Sequence, residues 1–331
     1  MASSSKPCIG IALGSGAAKG FAHIGVLSAL DEMGIRPQVI AGSSMGAFVG
    51  SAYAAGCLDK LEEWVNMLDN WRVFSLLDIN WTFSGGLIGG KKPFQAFFEG
   101  FAYENIEELP VPFTAVATDL NSGQEIWLQE GNLSDAVSAS CSIPGLLSPK
   151  QVAGRWLVDG AVVNPVPIDV CRAMGATCVI AVDVTEDGVS MWEHRQGEVE
   201  TLASDGDNSE APETPAPLQR VNKEVSAGVS LEKLLTQGRQ QLAQIGDRFT
   251  RTTPYAPGML ETMSTSMEIL ERRHKRSRLA GSPPDIMIIP KVGGIGGMEF
   301  SRAAEAVAAG RAEVERVKTW IEDVVPANLE P

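Results

Sequence analysis

The sequence predicts an α/β fold with a mostly parallel central sheet covered by helices, and three observations carry that prediction. Short apolar runs recur along the chain with helical stretches between them, the pattern of βα units. The first two runs each end in a turn rich in glycine and serine that leads directly into a helix. Finally, 331 residues with 44% apolar content are enough to bury a large core, and no apolar run is long enough to span a bilayer.

In chain order, Pro7 to Leu13 (PCIGIAL) reads as a buried parallel strand. Gly14 to Gly20 follows, then an amphipathic helix carrying His23, Val26, Leu27 and Leu30 that stops at Gly34. Gln38-Val39-Ile40-Ala41 is the second strand. It enters Gly42-Ser43-Ser44-Met45-Gly46 and then a helix with Ala47, Ala52, Ala54 and Ala55. Pro112–Thr118 and Glu125–Leu128 read as strands, Leu133–Ser140 as a helix, Trp156–Val158 as a short strand and Ile168–Met174 as a helix. Thr177–Asp183 is another buried strand, and two helical stretches follow at 230–249 and 259–278. Asp285–Ile289 is the last strand and Arg302–Val325 the closing helix.

A single domain over 1–331 is expected, with residues 219–331 supplying C-terminal helices and one strand to it. An acidic, serine- and glycine-rich insertion at 186–218 interrupts it, too poor in apolar surface to offset its ordering entropy. The aromatic-rich stretch Trp64–Ile88 reads mainly as core and, in a sharper reading, as a groove wall against a substrate chain.

The formal charge of −14 argues against nucleic acid as a partner, because a phosphate backbone requires a basic face. The polar start of the chain lacks the apolar core of a signal peptide, so a cytoplasmic location is expected. Five cysteines show no zinc-ligand spacing, and their odd count argues against a disulfide framework; no metal and no cofactor is expected. The basic run Arg272, Arg273, Lys275, Arg276 and Arg278 reads as a solvated helix end, or alternatively as a peripheral contact with anionic membrane. Nothing in the sequence specifies an oligomeric state.

Chemistry concentrates at three places. The pentapeptide Gly42 to Gly46 has the form of a nucleophile elbow, a strand–helix turn so tight that Ser44 is strained and the flanking Gly42 and Gly46 must be small. The Gly14–Gly20 loop lies between strand and helix, where free N–H groups converge on negative charge. It fits neither phosphate motif: Lys19-Gly20-Phe21 lacks the hydroxyl residue after Gly-Lys, and Lys19 occupies the third glycine position of the dinucleotide fingerprint. An oxyanion loop is the better reading. The base is constrained by a count of three histidines: His23 within the first helix, His194 in the acidic insertion and His274 in a charged helix end. Asp159-Gly160-Ala161, at a strand end with Asn164-Pro165 beyond, is the better candidate, since strand ends of a parallel sheet gather at one edge. To act there Asp159 needs a close hydrogen bond with Ser44 and partial desolvation.

Together these segments resemble the patatin-like phospholipase family. The resemblance rests on Gly14-Ser15-Gly16-Ala17-Ala18-Lys19-Gly20 with Phe21–Leu27, on Gly42–Gly46 and on Leu157–Pro165. It extends to Ala139-Ser140-Cys141-Ser142-Ile143-Pro144-Gly145 and Ser282–Ile286, so it covers nearly the whole chain apart from the insertion. It implies a three-layer α/β/α patatin-like fold, a Ser44–Asp159 dyad without metal, and hydrolysis of lipid acyl esters. It also implies backbone oxyanion donors at Gly16 and Ala17, with Ser15 or Ala18 assisting. Ser15 and Ala17 replace members of the family's usual glycine run, and Ala17 restricts φ where glycine would not. Lys19 stands in place of a frequent arginine. A low-turnover regulatory protein on the same fold, and acyl transfer through the same dyad, are the alternative readings.

Overall fold

The computed structural model describes residues 7–68, 86–88, 92–185 and 259–325. β1 (Ile9–Leu13) passes through a 3-10 turn at Ala17–Phe21 into α1 (Ala22–Glu32). β2 (Val39–Ser43) runs into α2 (Met45–Ala54), and α3 (Leu58–Asn66) follows. Next come β3 (Gly86–Ile88), α4 (Lys92–Phe98), β4 (Phe113–Asp119), β5 (Glu125–Leu128) and α5 (Leu133–Ser140). β6 (Gly145–Leu147), β7 (Lys150–Val152) and β8 (Arg155–Asp159) lead to α6 (Ile168–Ala173) and β9 (Cys178–Val182). α7 (Met259–Gly281), β10 (Ile286–Ile288) and α8 (Ala303–Val324) complete the described chain. The acidic insertion and the helix expected at 230–249 lie outside the described residues. Compactness divides the chain into two units, Met1–Met191 with Leu270–Pro331, and Trp192–Ile269; of the second, Met259–Ile269 is described.

The main sheet has the order β10-β9-β1-β2-β4-β8-β7, with β5 also paired to β4. From β10 through β4 every pairing is parallel, as the buried apolar runs require. β5 and β8 are antiparallel to β4, and β7 is antiparallel to β8. The chain moves outward from β1 to β2 and β4 and later returns to β9 on the other side of β1. The carboxyl end of β1 is therefore a topological switch point, where open α/β sheets bind ligands.

Alternation along the strands sends Ile9, Ile11 and Leu13 to one face and Ala12 to the other. The first face meets Phe21, Ile24 and Leu27 with α2, α3, α5 and α8 in a large apolar cluster. The second meets Ile168, Val170 and Cys171 of α6. The result is the expected α/β/α layering. α1 and α8 approach at backbone distance: a Cβ on Gly25 would fall 1.9 Å from the Val307 carbonyl oxygen, and one on Gly310 2.1 Å from that of Ala22. Trp64 joins Phe48 and Phe97 in an aromatic cluster, so the start of the aromatic stretch is core. Met67 is exposed, and residues 69–85 lie outside the described residues. Among the described residues, no helix is long and apolar enough to cross a membrane.

Candidate active site

Ser44 stands between β2 and α2 with φ 54° and ψ −124°, a left-handed backbone that is costly for any residue with a Cβ. The turn is tight enough that a Cβ on Gly42 would lie 2.4 Å from the Gly46 carbonyl oxygen, and one on Gly46 2.1 Å from that of Leu13. Small residues at both positions are thus a steric requirement. The strained amide is anchored: Ser44 N–H donates to Ser140 Oγ at 3.0 Å, and Ser140 Oγ–H donates to the Val116 carbonyl at 2.6 Å. Ser140, at the end of α5, couples the elbow to the neighbouring strand β4.

The register of β4 explains how Ser44 meets Asp159. On one edge of β4, residues Ala115–Thr118 pair with β5. On the other edge, Phe113–Val116 pair with β2, and Ala117–Asp119 pair with β8. β2 and β8 therefore lie end to end along the same edge, running toward each other. β2 finishes with Ser43 opposite Val116, and β8 finishes with Asp159 opposite Ala117, one register position away. Ser44 Oγ–H donates to Asp159 Oδ2 at 2.6 Å. The second carboxylate oxygen accepts from the Ala161 N–H at 2.8 Å, and Thr118 Oγ–H holds the Asp159 carbonyl at 2.8 Å. Gly160 passes so close to β4 that a Cβ there would sit 2.2 Å from the Val116 carbonyl oxygen. The sequence correctly places Asp159 at a strand end. The strand is antiparallel, however, and the meeting is head to head rather than along a shared parallel edge.

Asp159 is only 3% exposed, and among the described residues it forms no salt bridge. Burial pushes its carboxyl up to about 7, against the opposing pull of the Ser44 hydroxyl and the Ala161 amide; the charge of Glu271 pushes the same way as burial. Cys141 also faces this pair. Burial, and after it the charge of Asp159, raises its thiol well above the usual range, so it stays protonated.

The Gly14–Gly20 loop abuts the elbow. Gly20 leaves room for Met45, whose Cγ lies 2.3 Å from where a Cβ would be, and Gly46 sits under Leu13 and Gly14. Gly14 N–H donates to Val182 O at 2.9 Å, Ser15 N–H to Pro165 O at 2.9 Å and Ala18 N–H to Gly297 O at 3.0 Å. The Ser15 and Ala18 amides are thus spent within the protein, which corrects the expectation that either assists as an oxyanion donor. Among the described residues, the Gly16 and Ala17 N–H groups have no acceptor. Ala17 adopts φ 48° despite its Cβ, so the feared restriction is overcome at a cost of roughly 1–2 kcal/mol. Lys19 is buried in the 3-10 turn, its N–H on Gly16 O at 3.1 Å.

The histidines serve elsewhere. His23 is fully buried beneath the loop, and its Nε2–H donates to the Gly14 carbonyl at 2.7 Å; burial lowers its pKa to about 4, so it is neutral. His274 meets the Val163 carbonyl. His194 lies outside the described residues. The basic run is not a uniform solvated patch: Lys275 is buried against Asp183, and Arg278 bridges Glu125 at 2.9 Å and Asp169 at 2.6 Å. Arg273 and Arg276 are exposed. Among the described residues, no cluster of His, Cys, Asp and Glu is arranged to hold a metal.

Sequence reasoning missed Ser140, Thr118 and Glu271 as parts of this site. Ser140 ends the expected helix Leu133–Ser140, and nothing in its local pattern marks a hydroxyl that joins the elbow to β4.

Comparison with known proteins agrees with this architecture. The Patatin-like phospholipase family matches residues 11–172, which contain both Ser44 and Asp159. An uncharacterized NTE family protein of Mycobacterium tuberculosis is 34% identical over 341 residues, spanning 93% of this chain and 91% of its own length. A patatin-like phospholipase domain-containing protein of Caenorhabditis elegans is 37% identical over 184 residues, and the neuropathy target esterase sws of Drosophila melanogaster 32% over 183. Each of these two matches covers 53% of this chain and 13% of the larger animal protein. With its elbow, its glycine-rich loop and a relative matched along nine-tenths of both chains, the protein belongs to the patatin-like phospholipase family.

Proposed function

We propose that this protein is a serine lipid acyl hydrolase working through a Ser44–Asp159 dyad. The observation that carries the reading is the 2.6 Å hydrogen bond from Ser44 Oγ to a buried carboxylate whose pKa is raised to about 7. A base is most effective when its pKa lies near the working pH, and an ordinary aspartate is too weak. The family's name and the esterase named among the relatives support a carboxylic ester of a lipid as the substrate.

Ser44 Oγ attacks the ester carbonyl while Asp159 Oδ2 takes its proton. The tetrahedral oxyanion forms against the Gly16 and Ala17 amides, which have no acceptor among the described residues. Collapse expels the alcohol, which receives the proton from Asp159, and leaves an acyl group on Ser44. Water then enters, loses a proton to Asp159 and attacks the acyl carbonyl. Breakdown of the second intermediate releases the fatty acid and restores the Ser44 hydroxyl. No histidine is needed, because one carboxyl both accepts and returns the proton.

The test is fluorophosphonate labelling together with hydrolysis of short acyl esters. Wild type should label and turn over. Ser44→Ala should lose labelling and at least about 10³-fold in kcat while remaining folded. Equal hydrolysis by wild type and Ser44→Ala would overturn the dyad.

A further inference from the structure

Helix α7 presents a polar stripe to the carboxyl edge of the sheet. Glu271, His274, Lys275 and Arg278 follow i, i+3, i+4, i+7 spacing, so they share one face. All four are engaged by other elements. Ser15 Oγ–H donates to Glu271 Oε1, across 256 residues of sequence. His274 meets Val163 O, Lys275 Nζ–H donates to Asp183 Oδ2 and to Thr185 Oγ1, and Arg278 bridges Glu125 and Asp169. The stripe is thus fixed at three points beyond Glu271, and Lys275, one turn on, is buried.

We propose that Glu271 is a positioning residue for the ester hydrolysis, clamping the oxyanion loop through Ser15. The inference rests on the function proposed above. Ser15 is held twice, by its amide on Pro165 O and by its hydroxyl on Glu271, so the peptide units immediately after it are fixed where Gly16 and Ala17 keep their N–H groups uncommitted. A preorganised donor pair loses no reorganisation energy at the moment of reaction.

Three variants test the clamp, each read as kcat and KM on a short acyl ester. Ser15→Ala removes the hydroxyl, and kcat should fall about tenfold with little effect on KM. Glu271→Ala removes the acceptor and should match it. Glu271→Gln keeps an acceptor for Ser15 and should restore most of kcat. A Glu271→Ala enzyme with wild-type kcat, or a Glu271→Gln enzyme no better than Glu271→Ala, would overturn the inference. The proposed function fails by a different outcome, a wild-type enzyme that neither hydrolyses the ester nor takes the fluorophosphonate label.

Discussion

Two carboxylates, Asp159 and Asp183, lie at the carboxyl ends of strands and are almost wholly removed from solvent, yet they are treated in opposite ways. Asp183 is compensated: it meets the buried Lys275 ammonium and accepts from the Thr185 amide at 2.9 Å and hydroxyl at 2.8 Å. Among the described residues, Asp159 receives neutral donors, the Ser44 hydroxyl and the Ala161 amide, and burial pushes its carboxyl up to about 7. A buried charge without a counter-ion is costly, and proteins ordinarily avoid it. The fold therefore stores instability at Asp159 and none of that kind at Asp183. What the difference teaches is that the proposed mechanism draws on the uncompensated carboxylate, while the paired carboxylate is a fastening for helix α7.

The strongest way to break this contrast is Asp159→Asn. An amide keeps the shape but cannot take the Ser44 proton, so kcat should fall about 10³–10⁴-fold. Stability should move the other way. The folded carboxyl has a pKa above its unfolded value, so the native state binds more protons between about pH 4 and pH 7, and wild-type stability falls as pH rises through that window. The substitution removes the effect. Denaturant melts should find Asp159→Asn more stable than wild type at pH 8, by up to about 4 kcal/mol, and the two converging as pH approaches 4. A variant less stable than wild type at pH 8 would break the comparison.

Asp183→Asn should give the opposite sign. It leaves the Lys275 ammonium buried without its partner, for which a loss of roughly 3–5 kcal/mol is expected. Urea melts of both asparagine variants at pH 8, read side by side, check the pair. Equal shifts in the same direction would mean that the two carboxylates are held alike.

This contrast was only half legible in the sequence. The elbow could be read because its geometry is enforced by neighbours in the chain: Gly42 and Gly46 are the residues that a strand–helix turn about Ser44 requires. Asp159 could be singled out because three histidines in poor positions left little else. Its environment could not be read, because burial without a cation is a property of the surrounding fold. The same holds for the sheet. The parallel strands announce themselves as apolar runs, whereas β6 and β7, three residues each, carry no periodic signal and were not expected. Glu271 to Arg278 reads as a solvated helix end because it lacks an apolar period. Here the 3.6-residue period is written in charges, and their partners, from Ser15 to Asp183, lie far back along the chain.

The smallest expected effect sharpens the comparison by separating strain from charge. Ser140 is a neutral hydroxyl that joins the Ser44 N–H to the Val116 carbonyl, with both bonds in the buried interior. It holds in place a residue at φ 54° whose hydroxyl must stay 2.6 Å from Asp159. Ser140→Ala orphans one donor and one acceptor, so the fold should lose about 1–3 kcal/mol. Because no ionisable group is changed, that loss should be the same at pH 5 and pH 8, unlike the pH-dependent gain of Asp159→Asn. With its amide released, Ser44 samples other orientations and meets Asp159 less often, so kcat should fall roughly tenfold while the acid limb of the profile stays where it is. Melts at the two pH values and one pH–rate profile decide it. An acid limb displaced in Ser140→Ala would mean that the relay tunes Asp159 directly, and strain and charge at this site would no longer be separable.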